Sequence, residues 1–165
     1  MKAKELEAQF EKQIKEHQLL IYKVCRIYAY NEVDRQDLYQ EIIIQLWKAY
    51  QTFRAESKFS TWLYRVSLNT AISGLRKKKH LIQSYEPYNL PIELGDTDYD
   101  KQQDENLKEL YIAIEKLNET EKAIVMLYLE NKTYEEMEDV LGINQGNLRV
   151  KMNRIKDKLR NLTKN

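Results

Sequence analysis

The chain has 165 residues, with 27 Lys and Arg against 26 Asp and Glu, and only four Gly, two Pro and one Cys. That length suits one ordinary domain or two small ones, and the scarcity of helix breakers predicts long uninterrupted helices, so an all-α protein is expected. No apolar run is long enough to span a bilayer, and a lone cysteine excludes a disulfide framework and a thiolate metal site.

The near-zero net charge hides a segregation. Residues 1–79 carry 15 basic against 9 acidic side chains, 80–104 carry 1 against 6, and 105–165 carry 11 against 11. From Ile143 to Asn165 there are 7 basic residues and only Asp157 opposing them. Two basic stretches separated by an acidic one predict two small helical domains, 1–79 and 105–165, joined by an acidic flexible linker, 80–104, with a polyanion touched twice.

The N-terminus, MKAKELEAQFEKQIKEH, is charged and helical in pattern rather than a signal peptide, so the chain is expected to stay in the cytoplasm without membrane insertion. The first helices run from about Lys4 to Tyr30, with Leu19, Tyr22, Val24 and Ile27 at apolar positions and Cys25 as a core thiol. Asp34 is then placed to cap a helix through Leu38, Ile42, Leu46 and Ala49, with Asp37, Glu41, Gln45 and Lys48 as a polar stripe. Ile42, Ile43 and Ile44 are too many for one face, so this helix is expected to bury two sides, in its own domain or against a partner protein. Core packing accounts for the isoleucines but not for the acid and amide cluster of Asp37, Gln40 and Glu41.

The polar loop Gln51 to Lys58 holds Phe53, which is either a base-stacking residue or a lid on the core. In the next helix Phe59, Leu63 and Val66 recur at helical steps and can face a core, leaving Trp62, Arg65 and Asn69 on a neighbouring stripe. A flat ring, a guanidinium and an amide are the groups that stack on an unpaired base, hold its phosphate and read its edge. The bland reading, Trp62 in the core and Arg65 in solvent, stands beside that one. The helix ends in Arg76-Lys77-Lys78-Lys79, more cations than a helix dipole calls for, which adds phosphate contact to capping.

His80 to Asp104 holds both prolines, Pro87 and Pro91, and Gly95, as a linker does. Asp96 to Asp100 invites a calcium loop, but Lys101 and Leu107 stand where glycine and glutamate are required, so no metal is expected. A helix with Leu107, Leu110, Tyr111, Ile114 and Leu117 follows, then Glu119 to Leu129 with Ile124, Val125, Leu127 and Tyr128 as supports. Thr133 and Glu136 form a capping box for a short helix that buries Met137, Val140 and Leu141, and Gly142 ends it. Asn144 caps a last helix with Leu148, Met152, Ile155, Leu159 and Leu162 inward. This is a helix-turn-helix. Its other side presents Gln145, Asn147, Arg149, Lys151, Asn153, Arg154 and Lys158, suited to base edges and phosphates in a major groove.

With both halves in view, the chain resembles a bacterial RNA polymerase sigma factor of the extracytoplasmic-function type, in the sigma-70 family. The likeness covers roughly Leu19 to Lys79 and Leu110 to Leu162 and is most specific in DLYQE at Asp37 to Glu41, FRAESKFSTWLYRV from Phe53 to Val66 with Asn69 after it, and YEEMEDVLGINQGNLRVKMNR from Tyr134 to Arg154. The resemblance implies that Asp37, Gln40 and Glu41 dock on the clamp helices of the largest polymerase subunit, with a further contact on the flap. It implies that the loop Phe53 to Lys58, with Arg54, Trp62, Arg65, Asn69, Arg76 and Lys77 around it, recognises and melts the downstream promoter element and captures a flipped base. The helix-turn-helix then reads the upstream element, with Arg149, Lys151 and Arg154 on positions used for DNA contact. Val150 stands where many relatives have a small hydroxyl residue and Asn147 where threonine is common; Val150 can touch a thymine methyl, which leaves the preferred upstream sequence open. The paired tryptophans of housekeeping sigma factors are replaced by Arg65 and Val66, so opening is expected to depend on a well-matched site. An anti-sigma factor is a further partner by resemblance, and the free protein is expected to be a monomer.

A flexible linker of the 25 residues 80–104 has an end-to-end distance of ~30 Å and cannot exceed about 85 Å. Promoter elements two helical turns apart are ~70 Å apart, so a scaffold must hold both domains in place. One rival is a dimeric helix-turn-helix regulator without polymerase, which has no need of Trp62, Arg65 and Asn69. The other is an enzyme acting on nucleic acid, for which His17 and His80 lack partners and no phosphate loop occurs. No catalytic residue and no cofactor are expected.

Overall fold

The computed structural model describes residues 2–78 and 105–163, with side chains described for 2–74 and 108–163. Outside these lie the acidic linker with its boundaries, the Asp96 to Asp100 run, His80, and the side chains of Arg76, Lys77 and Leu107. The described residues form eight α-helices: α1 Lys2–Glu16, α2 Gln18–Tyr28, α3 Glu32–Tyr50, α4 Phe59–Lys78, α5 Glu105–Glu115, α6 Glu119–Leu129, α7 Tyr134–Leu141 and α8 Gln145–Thr163. They fall into two compact units, α1 to α4 and α5 to α8. None of these helices is long and apolar enough to cross a membrane.

In the first unit α3 packs against α2 and α4, burying Ile21, Val24, Ile42, Leu46, Leu63 and Leu68. α1 and α2 part at His17. Its Nδ1 lies 2.9 Å from the Gln13 carbonyl oxygen, which fixes the ring proton there, and its ring centroid is 4.9 Å from that of Phe59. His17 is therefore a packed residue at the junction of α1 and α2. Cys25 is buried among apolar neighbours, and that burial pushes its thiol up to about 12, so it stays protonated.

α3 is capped by Asn31 rather than Asp34. The Asn31 side-chain oxygen accepts the Asp34 backbone N–H at 2.8 Å, and its amide donates to the Asp34 carboxylate at 2.9 Å. Asp34 thus occupies the third helical position, where a carboxylate answers the orphan amides of the first turn. Of the three isoleucines, Ile42 is buried, Ile43 half-buried and Ile44 45% exposed. The second side of this helix is therefore uncovered in the first unit.

In the second unit α8 packs on α5, α6 and α7 over Ile114, Ile124, Leu127, Met137, Leu148 and Met152. Two capping boxes set the helix starts: Asn118 with Glu121 for α6, and Thr133 with Glu136 for α7. Gly142 ends α7 with φ of 70°, a left-handed turn that glycine adopts without penalty. Asn144 Oδ1 accepts the Asn147 N–H at 3.1 Å and so starts α8, as its sequence position predicts. Two expected inward residues face out instead: Leu162 at the far end of α8 and Tyr128, whose ring lies under Lys156 Nζ at 4.8 Å.

Candidate nucleic-acid interface

In the first unit the loop after α3 is closed by its own chain. Thr52 donates both its N–H and its hydroxyl to the Ala49 carbonyl, and Phe53 N–H bonds to the Tyr50 carbonyl. The chain then folds back so that Phe53 covers the start of α4. Phe53 and Trp62 rings are 4.8 Å apart, Phe53 and Phe59 5.9 Å, and Phe53 lies nearly parallel to Tyr50 at 6.2 Å. α1 joins the cluster through Phe10, 5.1 Å from Trp47 and 5.2 Å from Tyr50.

Trp62 is only 9% exposed as a result, and Phe53 is half-buried. The structure takes Trp62 off the outward stripe on which helical spacing puts it and makes Phe53 a lid on an aromatic cluster. The outward groups are Arg65 and Asn69, one helical turn apart, with Arg54 and Lys58 exposed on the adjoining loop. Ala55, between those two cations, has φ of 56°, left-handed backbone that an alanine adopts at a cost of roughly 1–2 kcal/mol. What the arrangement offers chemically is a cationic, amide-bearing rim over a bed of aromatic edges.

On α3, Asp37 and Gln40 are half-buried and Glu41 is exposed, with Glu41 Oε1 accepting Gln45 Nε2 at 3.0 Å. Val33, 61% exposed, and Ile44, 45% exposed, recur on the same side of the helix at helical steps from Asp37 and Gln40. The polar stripe thus carries an apolar component, Ile44 from the run of three isoleucines together with Val33, which the isoleucine run alone does not announce.

In the second unit α7 and α8 form the helix-turn-helix. Asn147, Arg149, Val150, Lys151, Asn153 and Arg154 are exposed and Gln145 is half-buried. Val150, 50% exposed, lies across the helix from the buried Leu148 and Met152, while Arg149 and Lys151, two residues apart, fall on opposite flanks. The start of α8 is held by α7: Glu138 Oε2 accepts the Gln145 N–H at 3.0 Å. Arg149 lies with its guanidinium carbon 5.3 Å from the ring centroid of Tyr134, the first residue of α7.

Lys158, read from its spacing as part of the outward basic face, is tied down. Its Nζ donates to Glu121 Oε2 at 2.8 Å while Glu121 Oε1 accepts the Asn118 N–H at 3.0 Å. Burial alone would raise the Glu121 carboxyl, but the Lys158 hydrogen bond, the Asn118 amide and the charges of Lys158 and Lys151 together hold it below the usual value. Glu121 therefore links the start of α6 to the outer half of α8. Among the described residues no cluster of His, Cys, Asp or Glu could hold a metal ion.

Comparison with known proteins places both units. A family model described as "Sigma-70 region 2" matches residues 13–81, and one described as "Sigma-70, region 4" matches residues 107–159. The chain is 30% identical over 141 residues to the ECF RNA polymerase sigma-E factor of Escherichia coli, covering 78% of this chain and 73% of that protein. It is 29% identical over 139 residues to the ECF RNA polymerase sigma-E factor of Haemophilus influenzae, covering 78% and 74% respectively. A similar solved fold is the sigma factor RpoE in complex with the anti-sigma factor NepR from Bartonella quintana, with a TM-score of 0.69, 18% identity, and coverage of 93% of this chain and 96% of that one.

Proposed function

The chain belongs to the sigma-70 family of RNA polymerase sigma factors, in its extracytoplasmic-function group, and on that premise we propose that its two helical units divide promoter recognition between them. Its function is to bind core RNA polymerase and direct transcription initiation to particular promoters. The dimeric regulator is not favoured, since a region 2 match occupies residues 13–81, where such a protein would carry a dimerisation or sensing domain.

The α3 stripe is the polymerase contact. Asp37, Gln40 and Glu41 supply polar specificity for the clamp helices, while the second unit meets the flap. The first unit melts the downstream element. Flipping a base costs on the order of a few kcal/mol, and a preformed cradle offsets that cost. Asn69 reads the extruded base, Arg54, Lys58 and Arg65 hold its phosphates together with Arg76 and Lys77, and Phe53 backed by Trp62 gives the ring surface. The second unit reads duplex: Gln145, Asn147, Arg149, Val150, Asn153 and Arg154 face the groove, and Lys151 holds backbone phosphate. The acidic segment 80–104 spans the distance between the two and the polymerase sets that distance. The chain acts in the cytoplasm as an initiation factor and leaves the chemistry to the polymerase. An anti-sigma factor, by extension from the NepR complex, is its regulatory partner.

The observation that carries this reading is the pairing, in one chain, of a region 2 match over an aromatic cluster rimmed by cations with a region 4 match over a basic helix-turn-helix. Run-off transcription with core polymerase on a library of randomised promoters tests it. Transcripts from a defined subset of templates are expected, with weak footprints from the free chain. Absence of transcripts from every template, or strong sequence-specific protection by the chain alone, refutes it.

A further inference from the structure

We propose that Tyr134 is a positioning residue for the reading of the upstream element, setting the orientation of Arg149 before DNA arrives; this rests on the assignment of Arg149 to a base contact. Arg149 is exposed, on a helix face with no packing to choose among its rotamers, yet its guanidinium carbon sits 5.3 Å from the Tyr134 ring centroid. A cation over a ring is held by the negative face of the π-system. All five N–H donors of arginine lie in the plane of the guanidinium, so a ring on one side leaves donors free to meet a guanine edge.

The backbone carrying both residues is fixed with respect to that contact. Tyr134 is the first residue of α7, where Thr133 and Glu136 close a capping box, with Glu136 N–H bonded to Thr133 Oγ1 at 3.1 Å. The start of α8 is pinned to α7 by the Glu138 carboxylate on Gln145 N–H at 3.0 Å, four residues ahead of Arg149. That carboxylate occupies an amide at the helix end where a DNA phosphate would otherwise sit. On this fixed backbone a pre-set Arg149 side chain loses less rotamer freedom on binding than a free one.

The test uses the whole chain assembled with core polymerase. The probes are a promoter selected from the randomised library and derivatives with each base pair of its upstream element exchanged in turn. For the parent, Arg149→Ala, Tyr134→Leu, Tyr134→Phe and the double variant Arg149→Ala with Tyr134→Leu, competitive binding gives the discrimination at each position. Arg149→Ala is expected to flatten discrimination at one or two adjacent base pairs. Tyr134→Leu, which keeps apolar bulk but has no π face, should lower discrimination at those same base pairs by about two- to five-fold, the range a cation–π contact at an exposed site supports. Tyr134→Phe, which keeps the ring, should restore it, and Tyr134→Leu should add nothing once Arg149 is alanine. Discrimination at the remaining base pairs should not move, and that is the control for folding of the helix-turn-helix.

If Tyr134→Leu and Tyr134→Phe weaken binding equally on all sequences, the tyrosine hydroxyl holds a phosphate and the proposal is overturned. If Arg149→Ala flattens a position that Tyr134→Leu leaves intact, the ring does not position the guanidinium. If Arg149→Ala flattens nothing, the base-contact assignment fails and the proposal falls with it.

Discussion

At Ser67, in the interior of α4, a fully buried hydroxyl has no hydrogen-bond partner. Leaving such a group unpaired costs about 1–3 kcal/mol of desolvation, and alanine is also the better helix former. Ser67→Ala is therefore expected to raise the unfolding free energy by about 1 kcal/mol, read as a higher urea midpoint. A lower midpoint would mean that the hydroxyl has a partner in solution. Two residues further on, Asn69 is exposed on the rim of the aromatic cluster. Asn69→Ala should slow open-complex formation with polymerase, followed by permanganate footprinting, more than it weakens binding to closed duplex. Equal losses in both would remove Asn69 from the base pocket. The reverse case is Trp62, for which helical spacing left the outward and core readings both open and the structure takes the core one. Its cover comes from Phe53, a residue on the preceding loop, and helical periodicity carries no information about how a loop folds back.

Among the elements, helix starts show both what sequence carries and where it is ambiguous. The Thr133 and Glu136 box was legible because Glu136 stands three residues after Thr133, whereas Asn131, the other capping residue of that turn, has Tyr134 at that spacing. At α3 both Asn31 and Asp34 can cap, and the direction of one hydrogen bond makes Asn31 the cap. The bounds Glu119 to Leu129 follow from apolar periodicity, and Asn118 with Glu121 three residues on is a local capping pattern that periodicity passes over; the long reach of Glu121 to Lys158 needed the tertiary structure, because a 37-residue separation leaves no local pattern. Glu121 also makes a pH prediction. Its carboxyl is lowered in the folded chain, so its contribution to stability is fully present above the pKa it has when unfolded and is lost as pH falls through the lower folded value. Glu121→Gln should therefore cost stability at neutral pH and lose less than the parent on acidification, with circular dichroism melts across that range as the readout. Parallel losses in the two proteins would assign the acid sensitivity to other groups.

For the whole molecule, the two-unit helical plan was legible from charge segregation and helical period, because both are properties of long stretches rather than of single contacts. The uncovered side of α3 is the feature with consequences at this scale. Glu41→Lys reverses a charge in a stripe flanked by Val33 and Ile44 without touching a buried side chain. It should reduce association with core polymerase, measured by competition against another sigma factor, while far-ultraviolet circular dichroism stays unchanged. Undiminished competition would move the docking site elsewhere. Finally, the chain has two tryptophans, Trp47 and Trp62, and both belong to the aromatic cluster of the first unit. The protein thus carries an intrinsic optical probe confined to one half. Indole emission should be quenched when the chain is titrated with an unpaired oligonucleotide bearing the downstream element and should ignore a duplex bearing only the upstream one, so the first half can be followed spectroscopically without a label while the second stays silent.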